Sequence, residues 1–237
     1  MLKIGLIAVN VDEVVEQDFK VLSDATGDVT IFSTRFEMAP FDDAAQLEVN
    51  ASRIQEASRI LVPRSNLDIV AFACASGNAA LGKERITETV AAVRTDHAVV
   101  VAPLESTAKA CAVLSIKRLI VVSPYNAETN AILVRALEDR EVIVSAVHSL
   151  PSSDYPSFGQ IPATEIEATI RTAVTQSEGD ALLVSCTGVQ ALGSIARMEE
   201  EVKKPVLTSN QCLYWDALCS VGHYARPASF GALLRNH

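Results

Sequence analysis

The chain has 237 residues, 29 acidic and 20 basic, giving a net charge of −9 and a pI near 5.0. Hydrophobic residues make up 49% and charged residues 21%, which excludes a disordered chain and suits one large domain or two small ones at ~150 residues each. The acidity, with no Lys/Arg run above two, excludes a nucleic-acid partner, and no apolar run reaches the ~18 residues a membrane span needs.

Met1-Leu2-Lys3 leads into a short apolar run ending at Val9. It is too brief for a signal peptide, so it reads as a first strand in a cytoplasmic protein. Residues 4–9, 29–32, 67–73, 98–101, 119–122, 142–147, 181–185 and 206–207 read as short buried strands. Amphipathic stretches at 12–22, 78–93, 127–137, 163–174 and 189–202 separate them. Continuous hydrophobic strands alternating with helices imply an α/β fold with parallel sheets covered on both faces. Active sites in such folds lie at the carboxyl ends of the strands. The Pro- and Ser-rich stretch 150–159 reads as a surface loop, with a lid or interdomain segment as the alternative.

A repeat is the most informative feature. Ala73-Cys74-Ala75-Ser76-Gly77-Asn78 closes one strand and opens a helix, and Ser185-Cys186-Thr187-Gly188 is expected to do the same later. Each follows a strand introduced by an aspartate, Asp68 or Asp180. Two related halves, 1–97 with 208–237 and 98–207, would set two strand-end cysteines about a pseudo-twofold axis, facing each other across an interdomain cleft.

The helix start after each cysteine offers free N–H groups and partial positive charge. Both are expected to lower a thiol pKa from ~8.5 toward neutrality. Ser76, Gly77 and Asn78 on one side, with Thr187 and Gly188 on the other, supply donors and close backbone approach for a small carboxylate substrate. Two facing thiols then suit proton transfer at the carbon beside that carboxylate. A lone strand-end cysteine is more often core filler; it is the matched pair that points to chemistry. Cys111, Cys212 and Cys219 read as core. Asn10, Asp12 and Tyr125 also follow strands and are candidates for substrate contact, while Ser209 reads as a helix cap, and Tyr214 and Trp215 as core or cleft wall.

Other chemistries lack their parts. The odd cysteine count argues against a disulfide framework, and neither Cys nor His has metal-ligand spacing, so no metal is assigned. Residues 77–84 imitate a phosphate loop, but Glu84 stands where Ser or Thr must hold magnesium. There is no Gly-x-Gly-x-x-Gly for a dinucleotide and no Gly-x-Ser-x-Gly elbow, so no cofactor is expected. A homo-oligomer is common for such folds, although no interface motif stands out.

Ala-Cys-Ala-Ser-Gly at 73–77, Ser-Cys-Thr-Gly at 185–188, the Ser-Pro-Tyr turn at 123–125 and Pro-Val-Leu-Thr-Ser-Asn-Gln-Cys-Leu-Tyr-Trp at 205–215 together resemble the Asp/Glu racemase superfamily. Within it the chain is similar to the branch of maleate cis–trans isomerases, arylmalonate decarboxylases and ectoine-utilisation racemase-like proteins. The resemblance spans nearly the whole chain. It implies two pseudo-symmetric flavodoxin-like domains and cofactor-independent chemistry on small carboxylates. It makes Cys74 and Cys186 the catalytic pair, and places Ser76, Tyr125, Thr187 and Gly188 around a carboxylate or enediolate. The decarboxylases resemble single-cysteine members with glycine at the position of Cys74, so Cys74 here favours isomerisation or racemisation, with decarboxylation or a non-catalytic carboxylate-binding paralogue as the alternatives. Asp12 stands where the isomerases carry a carboxylate-binding asparagine, which disfavours a dianion such as maleate and favours a substrate bearing an amino group.

Overall fold

The computed structural model describes residues 1–40, 43–224 and 227–236. The elements run β1 (Leu2–Val9), α1 (Val15–Thr26), β2 (Val29–Phe36), α2 (Ala44–Ile60), β3 (Ile69–Ala73), α3 (Ala75–Leu81), α4 (Lys83–Ala91) and β4 (Val99–Val101). The second half continues α5 (Pro103–Val113), β5 (Arg118–Ser123), α6 (Ala127–Glu138), β6 (Ile143–Ser149), α7 (Ala163–Gln176), β7 (Ala181–Val184), α8 (Ile195–Val202) and β8 (Val206–Thr208). Helices α9 (Ser209–Ser220) and α10 (Gly231–Asn236) follow.

Two four-stranded parallel sheets result, ordered β2-β1-β3-β4 and β6-β5-β7-β8. The strands that pair on both sides, β1, β3, β5 and β7, are apolar along almost their whole length and almost wholly buried. That composition suits a parallel strand covered by helices on both faces. The edge strand β6 alternates half-buried and exposed residues, and β2 is only partly covered. All eight strands fall where the hydrophobic runs lie.

The boundaries between halves differ from expectation. A division at 97/98 would sever β4, yet β4 pairs with β3 through Ile69–Val99 and belongs to the first sheet. The second expected division, at 207/208, cuts β8, which pairs with β7 in the second sheet. Helix α9 then returns to pack on α1, α5, β3 and β4, while α10 packs against α8 and β8. One apolar cluster runs through both halves, from Ile4 to Leu234, and a smaller one fills the outer face of the first sheet around Ile7, Phe36, Ile54 and Phe72.

Local chemistry sets the element ends. Asn126 Oδ1 accepts the Thr129 N–H to cap α6, and a Thr208–Gln211 capping box opens α9. The amphipathic stretch 78–93 is two helices, not one. Gly82 takes φ +76° between them, a conformation that glycine enters freely.

Candidate active site

The carboxyl ends of both sheets face a common cavity of about 310 Å³. Val9, Val11 and Asp12 come from the end of β1, Met38 from beyond β2, and Cys74, Ala75 and Ser76 from beyond β3. Tyr125 follows β5, residues 156–159 follow β6, and Cys186, Thr187 and Gly188 follow β7. Three strand ends of each sheet thus line one space, as the matched strand orders require.

Seven expected site residues line this cavity: Asp12, Cys74, Ser76, Tyr125, Cys186, Thr187 and Gly188. The other three stand off it. Asn10 is exposed beyond β1. Gly77 lies beneath Cys74; its N–H donates to Cys74 Sγ at 3.2 Å, and a Cβ there would come within 3.0 Å of that sulfur. Asn78 is fully buried and serves the scaffold, its Oδ1 accepting the Leu104 N–H at 2.8 Å. Sequence reasoning missed Val9, Val11, Met38 and Ala75, which carry no chemical signature beyond position. The 150–159 stretch reaches the cavity through Pro156–Gly159, with Ser157 Oγ donating to Glu13 Oε2 at 2.8 Å across the mouth.

Cys74 is the N-cap of the seven-residue α3. Its sulfur lies 3.6 Å from Ser76 Oγ and 3.4 Å from Met38 Sδ. Cys186 is placed differently: no helix opens after it. The chain turns through 187–189 and enters α8 only at Ile195, so the expected second strand–Cys–helix junction does not form. Instead Cys186 takes φ +122°, a backbone conformation that L side chains rarely adopt. The polar triplet 209–211 explains how it is held. Ser209 is not the cap of α9, since Thr208 is; its Oγ accepts the Cys186 N–H at 3.2 Å. Asn210 Nδ2 donates to the Thr187 carbonyl and to Asp18 Oδ2, both at 2.8 Å. Thr187 Oγ1 in turn donates to the Ala73 carbonyl at 3.2 Å, tying the two cysteine-bearing turns together.

The thiols do not have the depressed pKa expected from helix starts. Burial pushes Cys186 up to about 12, against hydrogen bonds from Tyr125 and the Gly188 N–H, with the charge of Asp12 adding to the rise. Burial also raises Cys74, against contacts from Ser76 and the Gly77 N–H, and Asp12 again adds. The physical reason is desolvation without a cation: no Lys or Arg is among the residues that line the cavity. The Tyr125 hydroxyl interacts with Cys186 and Ser76, and burial beside both thiols holds its pKa well above the usual value. It is therefore a hydrogen-bond donor at neutral pH. Among the described residues no three His, Cys, Asp or Glu side chains converge as a metal site requires. No described helix is long and apolar enough to cross a membrane.

A family profile described as arylmalonate decarboxylase matches residues 55–234. The chain belongs to that family. A curated relative, the arylmalonate decarboxylase of Bordetella bronchiseptica, is 26% identical over 117 residues, covering 48% of this chain and 49% of the relative. The chain thus spans about half the length of the curated relative it matches. Two solved structures share the fold over the whole chain. The Nocardia farcinica maleate cis–trans isomerase, a C-to-S variant with a covalently bound succinylcysteine intermediate, superposes with TM-score 0.84 at 19% identity over 100% of this chain and 99% of that one. Unliganded arylmalonate decarboxylase superposes with TM-score 0.77 at 17% identity over 100% of both chains. The α/β architecture of two four-stranded parallel sheets is that of this arylmalonate decarboxylase and maleate isomerase fold, within the Asp/Glu racemase superfamily.

Proposed function

We propose that this protein is a cofactor-independent isomerase of small carboxylic acids that works with two thiols. The observation that carries the reading is that Cys74 and Cys186 line one cavity. A single-thiol protonation site has no use for the second sulfur. Ser76, Tyr125 and the N–H groups of the 187–188 turn are the donors for a substrate carboxylate, and for the enediolate that forms when the adjacent C–H bond breaks.

Two isomerisations fit this apparatus. In racemisation one thiolate takes the proton from the α-carbon, leaving its electron pair in the enediolate, and the other thiol returns a proton to the opposite face. The thiol and thiolate exchange roles and no atom is gained or lost. In cis–trans isomerisation a thiolate, Cys74 by resemblance, adds to one alkene carbon. The negative charge passes into the adjacent carboxylate system as an enediolate, which takes a proton on carbon from the Cys186 thiol and, after rotation, returns one to the Cys186 thiolate. Rotation about the new single bond and elimination of the thiolate release the trans acid. A covalent succinylcysteine in a structurally similar isomerase supports this version.

Decarboxylation is the second reading, favoured by the family profile and the curated relative. It would break the bond to one carboxylate of a malonate, release carbon dioxide and protonate the enediolate from Cys186. Turnover in deuterium oxide, followed by proton NMR, separates the three. Racemisation puts deuterium on the α-carbon of recovered substrate, addition–elimination converts a cis acid to its trans isomer, and decarboxylation gives carbon dioxide with a labelled monoacid. Cys74→Ala and Cys186→Ala should each lower turnover by about 10²–10⁴-fold. Full turnover in both variants overturns the paired-thiol mechanism. Loss in Cys186→Ala alone selects decarboxylation.

A further inference from the structure

Cys74 and Cys186 obtain a backbone donor by different means. The Gly77 N–H reaches Cys74 Sγ at 3.2 Å because α3 opens there and fixes the peptide. No helix follows Cys186, yet the Gly188 N–H donates to its sulfur, so something outside the turn has to aim that N–H. The Cys186 N–H is already spent on Ser209 Oγ, which leaves the 187–188 peptide as the adjustable part. A trans peptide sets its C=O and N–H on opposite sides, so whatever grips the Thr187 carbonyl also fixes the direction of the Gly188 N–H. Asn210 of α9 grips it, Nδ2 donating at 2.8 Å. The same amide nitrogen donates to Asp18 Oδ2 of α1 at 2.8 Å, while Asn210 Oδ1 finds no partner among the described residues. Turned over, the amide would set that oxygen against the Thr187 carbonyl, so the two acceptors hold it one way round. Asn210 is 1% exposed, and a buried acceptor left empty costs stability that an apolar side chain of the same size would save. The amide is therefore placed for its two donors and not as core filling.

We propose that Asn210 is a positioning residue for Cys186: by holding the Thr187 carbonyl it aims the Gly188 N–H at the Cys186 sulfur, while Asp18 holds Asn210. This deepens the two-thiol reading and rests on it. With no Lys or Arg on the cavity wall, a Cys186 thiolate relies on neutral donors, the Tyr125 hydroxyl and this N–H. The clamp thus gives the second thiol what a helix start gives the first. Donation to the sulfur is strongest when Cys186 has given its proton to the substrate carbon, and weakens when it takes one back. Asn210 does not line the cavity, and it exchanges no proton with the substrate.

The test reads the thiols directly and needs no substrate. The full chain and its Asn210→Leu and Asn210→Ala variants, with folding checked by circular dichroism, are treated with iodoacetamide at one fixed alkaline pH, and alkylation of each cysteine is followed by peptide mass spectrometry. Losing a hydrogen bond to the thiolate lowers the thiolate fraction, so Cys186 should react about ten- to a hundredfold more slowly in both variants. Cys74, whose donor comes from α3 itself, should keep its rate. A merely structural role gives the opposite sign, because a loosened turn admits water and reagent and speeds the reaction. Cys186 reacting as fast as before or faster, or both cysteines slowing together, would overturn the proposal. A second measurement needs no variant. In the unaltered protein both Asn210 Nδ2 hydrogens, bonded and buried, should exchange with deuterium far more slowly than those of an exposed asparagine, and fast exchange would equally overturn the clamp. None of these results touches the paired-thiol mechanism, which fails only on the single-cysteine kinetics above.

Discussion

Cys186 sits at φ +122°, where its Cβ crowds the backbone, and such a residue persists only when its surroundings over-determine it. Here Ser209 Oγ grips its N–H and Asn210 grips the next carbonyl. Strain of this kind costs about 1–3 kcal/mol. Replacement by glycine removes the Cβ and the strain together with the thiol, at a loss of about 0.5–1 kcal/mol through the freer unfolded chain. Cys186→Ala keeps the Cβ and therefore the strain. Cys186→Gly is accordingly expected to be at least as stable as Cys186→Ala in thermal denaturation, with both equally inactive. A clear stability deficit for the glycine variant would show that the conformation is unstrained. Nothing in Ser-Cys-Thr-Gly announces this backbone. The sequence repeat suggests that Cys186 copies Cys74, and the two differ because only Cys74 is followed at once by a helix.

The strands were legible because a parallel strand covered on both faces must be apolar at nearly every position, and such runs stand out in β1, β3, β5 and β7. The helices were less so. α2 hides because polar residues interrupt its buried stripe of Asn50, Ala51, Ile54, Ala57 and Ser58. The contact between α1 and α9 was not legible at all, since it joins residues far apart in the chain. There Asp18 of α1, almost buried, accepts its hydrogen bond from Asn210. Burial lifts the Asp18 pKa to about 7, the neighbouring charge of Asp12 adding to the rise and the Asn210 bond opposing it. The sign follows from comparing states. Below ~3.9, the unfolded value, the carboxyl is protonated in both states and its contribution to stability is whole. As pH rises toward about 7 the unfolded chain ionises first, so that contribution is lost, and above it the deficit is constant. Asp18→Asn keeps an acceptor for Asn210 without the charge. Its expected effect is a stabilisation on the order of a few kcal/mol at pH ~8, shrinking to nothing near pH ~4 in urea titrations. An equal effect at both pH values would mean that Asp18 is not held protonated by its surroundings.

At the scale of the molecule, the matched strand orders make two units by topology, but the packing joins them. Thr187 bonds the end of β3, α9 leaves the second sheet to cover the first, and one apolar cluster takes buried residues from both sheets. The cavity is lined from both sheets, so its geometry depends on that junction holding. An interface that shares a continuous core is expected to unfold with what it joins. Trp215, the single tryptophan, is buried on α9 and reports the junction, whereas far-UV circular dichroism reports all helices and strands. Urea unfolding followed by the two signals should therefore trace one coincident transition, with the same midpoint and slope. Fluorescence changing well before the circular dichroism would mean that α9 detaches first and the halves unfold separately. A substrate held between the two cysteines would then have to assemble the cleft as it binds, and the ligand-free cavity would not be the form that it meets.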